Sequence, residues 1–151
     1  GLSILTDTSS EKITTLKTGV YGNDGSTLEY SLGRYQRGDN YSAIRNILTH
    51  QQRTPSGWSF NETVSFTNMR TPTNKGAYWK PIITITKALR GAHPYTVGAG
   101  YLEESNIWHN NITDTITPLS YHFRTMTAFI NSDQSKPNNW GFSYYNRNSI
   151  T

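Results

Sequence analysis

The chain has 151 residues, enough for one domain with its own core, and carries a formal net charge of +4 with no concentrated basic tract. Only 34% of residues are hydrophobic and 16% charged, while 21 Thr, 15 Ser and 14 Asn make up a third of the chain and aromatics a further 13%. Scarce Leu, Ala and Glu exclude a helical bundle, the aromatic content excludes disorder, scattered charge argues against nucleic-acid binding, and the absence of cysteine excludes disulfides and thiolate metal sites.

Residues 1–10 are polar and read as a leader or tether, with 11–151 as a single domain. Lys12–Thr18 and Thr27–Leu32 read as strands, joined by a hairpin turn at Gly22-Asn23-Asp24-Gly25. Arg37-Gly38-Asp39-Asn40 reads as a loop. After it, Tyr41, Ile44, Ile47 and Leu48 fall at helical spacing behind Asp39 or Asn40 as N-cap, which predicts one short helix.

The clearest period-2 signal follows. Trp58, Phe60, Glu62, Val64 and Phe66 share one face of a strand, and Ser59, Asn61, Thr63 and Ser65 share the other. Pro72–Gly76 reads as a loop, and the β-branched run Ile82–Ala88 as a strand. Tyr95–Leu102, Tyr121–Ile130 and Gly141–Asn146 complete the strand set, with Asp133–Asn139 as a loop. The apolar phase changes near Thr125, which predicts a bulge. The pattern predicts an all-β protein: an antiparallel β-sandwich, or related barrel, of six to nine short strands with at most one short helix. No run of about 18 apolar residues exists, so no helix spans a membrane, and no membrane insertion is expected.

Candidate ligand residues gather around two tryptophans. Trp108 sits with His109, Asn110 and Asn111, and Trp140 with Asn138 and Asn139, both in stretches that read as loops. An aromatic ring stacks on the C–H face of a sugar while Asn amides donate to and accept from its hydroxyl rim. The competing reading is that each Trp plugs the core and each Asn makes a turn. Trp58 and Trp79, in or beside strands, read as core. Glu62, on an apolar strand face, is the candidate general acid of a glycan hydrolase, with Glu103, Glu104 or Asp114 as partner, against the plainer reading of a rim carboxylate. His50, His93, His109 and His122 have no metal-ligand spacing, and no cofactor fingerprint occurs. No metal and no cofactor are expected.

A cysteine-free, Thr/Ser/Asn/Tyr-rich β module bearing Trp, with a polar leader, resembles the distal receptor-binding tips of bacteriophage tail fibres and tailspikes. The segment from Ser56 to Phe66, followed by Lys80-Pro81-Ile82-Ile83, is similar to H-type lectin-like sandwiches, whose final strand is matched in part by Trp140–Tyr145. The resemblance implies a homotrimer and a bacterial surface receptor, often a glycan. The expectation is a non-catalytic receptor-binding module on a virion surface or adhesin tip, binding a surface glycan or outer-membrane protein. The alternatives are a structural fibre or baseplate connector, or a small envelope-glycan hydrolase using Glu62.

Overall fold

A computed structural model describes residues 11–91, 94–132 and 139–150. The all-β antiparallel expectation holds. Eight strands form one sheet in strict sequence order: β1 (Glu11–Tyr21), β2 (Thr27–Arg37), β3 (Tyr41–Arg53), β4 (Trp58–Arg70), β5 (Asn74–Leu89), β6 (Tyr95–Asn110), β7 (Tyr121–Ser132) and β8 (Gly141–Ser149). Among the described residues each strand contacts only its neighbours in sequence, so β1 and β8 form the two edges of the sheet and no second layer lies against either face.

Three local expectations are corrected. The helix expected after Asp39 is strand β3, because Ile44 and Leu48 find partners on β2 and β4 that an isolated helix could not offer. The bulge expected near Thr125 is absent: Leu102↔Thr125 and Tyr101↔Met126 continue a regular ladder. The strands are long rather than short, running from 9 to 16 residues.

The turns follow local chemistry. Gly25 takes φ 81° in the first hairpin, where Asp24 Oδ1 accepts from Ser26 N at 2.9 Å and from Ser26 Oγ at 2.6 Å. Gly57 takes φ 87° between β3 and β4. Connections 22–26 and 54–57, the last residues of β5 and β7 and the first of β6 and β8 lie at one end of the sheet, here the near end. Connections 38–40, 71–73 and 111–120 lie at the far end.

Register fixes the two faces, since cross-strand partners point the same way. One row runs Val20, Leu28, His50, Glu62, Ile83, Tyr101, Met126 and Asn146. It crosses β1 one residue from the strand's near end but crosses β8 beyond its middle. The far ends of β1, β2 and β3 stand level in one row, Glu11↔Arg37↔Tyr41, as do those of β5 and β6 at Asn74↔Asn110, so the difference comes from near ends that lengthen toward β5 and from β7 and β8 starting further in at the far end.

Candidate functional site

The face carrying that row is apolar over most of its area. Leu16, Leu32, Ile44, Leu48, Phe60, Val64, Phe66, Trp79, Ile83, Ile85, Val97, Ala128 and Ile130 all belong to it by register. Much of it is open. Trp58 is 42% exposed and Trp79 39%, so neither is the core residue expected of it. No large side chain among the described residues is fully buried, and the buried apolar residues are Ala43 and, on this face beside Val64, Pro81. A sheet in one layer leaves these side chains nothing to pack against but their neighbours. Trp58 stacks on Phe60 at 6.3 Å, and Phe66 meets Trp79 edge-on at 6.4 Å.

Polar residues on this face are placed unevenly. Lys12, Arg34, Arg70, Lys75, His109, His122 and Arg124 all stand within four residues of the far end of their strands. Two acids stand further in, and each has a histidine: Glu62 with His50 at 3.5 Å, and Glu103 with His122 at 2.9 Å. At the near end the edge of the face is aromatic, with Trp58, Tyr95, Trp140 and Phe142, and the Lys87 ammonium lies 5.1 Å from the Trp58 ring.

The opposite face is polar. Thr, Ser and Gly alternate there with charged and phenolic groups that bond to one another. Glu104 accepts from Tyr78 at 3.1 Å and Tyr121 at 3.0 Å, and pairs with Lys80 at 3.2 Å. Glu11 accepts from Tyr35 at 2.9 Å and lies 3.5 Å from Arg37. Tyr21 donates to Glu29 at 2.8 Å. The buried polar residues Ser65, Thr67 and Thr125 lie on this face, as does Ala43. In the turn beyond the strands, hydrogen bonds from the Ser26 hydroxyl and then from its amide hold the Asp24 carboxyl below its ordinary pKa.

The sequence-predicted ligand residues do not assemble into one site. Trp108 is not on a loop but inside β6, on the polar face at the far end, opposite Gly76. Trp140 precedes β8 at the near end and continues the ladder opposite Ser132, on the apolar face. The two rings therefore belong to opposite faces and opposite ends. His109, next to Trp108, points to the apolar face, and its backbone bridges to Ile116. Asn110 Oδ1 accepts from the amides of Ile112 and Thr113, so that side chain builds the turn. Asn111 is exposed and its amide donates to Thr73. Asn139 is exposed, and Asn138 lies outside the described residues. On the face of Trp108, the Oδ1 atoms of Asn74 and Asn106 are buried without a partner.

The carboxylate pair is not brought together either. Glu104 lies on the opposite face from Glu62, and Asp114 on the far-end connection. Glu103 shares the face but stands two strands away and two residues along, about 12 Å by sheet spacings. Each carboxylate instead engages its own histidine, Glu62 with His50 on β3 and Glu103 with His122 on β7, on the sides of the two acids that face away from each other. His93 lies outside the described residues, and among those described no three His, Asp or Glu gather as metal ligands. Comparison with protein-family models, curated proteins and solved structures finds no match.

Proposed function

We propose that the chain is a stretch of the wall of a membrane-spanning β-barrel, with its apolar face against lipid and its polar face toward the interior. The observation that carries this is the two-faced single layer: on one side an apolar face that no described residue covers, on the other a hydrogen-bonded polar face. Water makes such a face costly, at about 25 cal/mol per Å² of apolar surface left exposed, whereas acyl chains cover it.

Three further features agree. Strands of 11 to 16 residues, as in β1 to β7, are longer than the usual five or six of soluble sheets. At about 3.3 Å per residue and a tilt near 40°, 12 such residues rise about 30 Å, enough for an apolar band of about 25 Å. An aromatic edge at one end and a basic edge at the other are what two lipid–water boundaries accommodate. The meander order is the order of an up-and-down barrel. No helix is long and apolar enough to cross a membrane, but strands cross by a different rule: every backbone group must pair between strands. The outer edges of β1 and β8 must then be paired with further strands, each other's or another chain's.

The test is refolding from urea with and without lipid vesicles. The expected result is strand structure that floats with the vesicles and resists protease there. A sheet that folds to a soluble species without lipid or detergent sinks the proposal. A soluble trimer would restore the fibre-tip reading, in which subunits cover the apolar face.

A further inference from the structure

The far-end edge of the apolar face holds an arrangement that the fold alone does not favour. Arg70 on β4 stands directly opposite Lys75 on β5, and Lys75 directly opposite His109 on β6. Directly paired side chains have Cβ atoms about 5 Å apart, and like charges so placed repel. No carboxylate among the described residues lies within ion-pair distance of any of the three. One row further in, Ile44, Asn68, Ala77 and Ile107 stand in register across β3 to β6. The two rows line a single groove of about 480 Å³. Its basic end opens at the edge of the sheet, and its apolar floor leads on to the apolar face.

We propose that this groove binds a phosphate-bearing membrane lipid, with the phosphate between Arg70, Lys75 and His109 and an acyl chain over Ile44, Ala77 and Ile107. The proposal rests on the barrel-wall reading. Charge complementarity selects the headgroup: a phosphate offers Arg70 a bidentate partner and Lys75 a point charge, it turns the repulsion between those two into attraction, and the His109 ring adds a hydrogen-bond donor. The floor favours a lipid over a free anion, because in the barrel wall Ile44 and Ile107 lie against acyl chains, so a headgroup at the basic end arrives with its own chain already on the floor.

Native mass spectrometry of the 151-residue chain in nonionic micelles tests this, with phosphatidylglycerol, diacylglycerol and inorganic phosphate as probes. Phosphatidylglycerol is expected to be retained and diacylglycerol not. The double variant Arg70→Ala/Lys75→Ala should lower retention at least tenfold with strand content unchanged. If that variant fails to fold, Arg70→Gln alone should lower it severalfold. Equal retention of both lipids, or retention indifferent to these substitutions, overturns the site. Displacement by inorganic phosphate at the lipid's own concentration also overturns it, by assigning the groove to a free anion. A chain that enters vesicles but fails these assays loses the site alone, whereas one that never enters them loses the barrel wall as well.

Discussion

The Trp108 ring lies over Gly76, its direct cross-strand partner on the polar face. A Cβ at Gly76 would stand 2.7 Å from indole Cδ2 and 2.8 Å from Cε3. Gly98 and Phe129 repeat the relationship between β6 and β7, where the ring covers a strand glycine. An indole is rigid, so it can yield only by leaving its place. Gly76→Ala should therefore destabilise the sheet by about 1–3 kcal/mol, the usual cost of overpacking. In a Trp108→Ala background the same change should cost much less. Urea unfolding of the four proteins of this cycle measures the coupling, and additive effects would show that the ring moves freely.

That pairing also shows why Trp108 was misplaced from sequence. Asn around a Trp reads as a loop, yet Asn106, Trp108 and Asn110 are alternate residues on one polar strand face. Alternation was legible wherever one face is strongly apolar, as from Trp58 to Phe66. It failed at Tyr41, Ile44, Ile47 and Leu48, where the spacing fits a helix as well as a strand's two faces and only pairing with β2 and β4 decides. That no described residue covers the apolar face was not legible at all. Alternation says that one face avoids water, but not whether protein or lipid covers it. Glu62 looked singular on that face because its neighbour in register, His50, is twelve residues away in sequence.

The first hairpin turn should carry its own pH signature. Ser26 donates twice to Asp24, and this lowers the carboxyl pKa. A carboxyl with a lowered folded pKa contributes stability that is present above its ordinary value and lost as pH falls through the lowered one. In Ser26→Ala the Asp24 titration, followed by carboxyl carbon NMR, should move up toward the ordinary carboxylate range. An unmoved midpoint would mean that the turn does not hold the carboxylate.

Gly57 is constrained twice. Its φ of 87° disfavours any side chain, and a Cβ there would meet the Ala88 carbonyl oxygen at 2.9 Å. That carbonyl belongs to β5, and the adjoining ladder is closed by the Ala88 amide donating to Gly57 O at 2.9 Å. Gly57→Ala should cost about 1–3 kcal/mol, whereas Gly25→Ala, with nothing within 4 Å of its Cβ position, should cost only the backbone strain. Equal losses in thermal unfolding would count against the steric part of the argument.

Neighbouring residues on β5 separate the two faces most directly. Ile85 lies on the apolar face, between Phe60 and Ala99, and Thr84 lies on the polar face, between Asn61 and Gly100. If lipid covers the apolar face, Ile85→Arg places a cation among acyl chains at a cost of up to about 2–4 kcal/mol, set by its depth. Thr84→Arg adds a cation to a face that already holds Lys80 and Arg45, where water or polar groups receive it. Folding into vesicles, read as the fraction protected from protease across a urea series, should fall sharply for Ile85→Arg and by less than about 1 kcal/mol for Thr84→Arg. In water both substitutions are on a surface, and the difference between them should vanish if that is where the sheet resides. The ratio of the two effects therefore reports the surroundings of each face, independently of how the outer edges of β1 and β8 are closed.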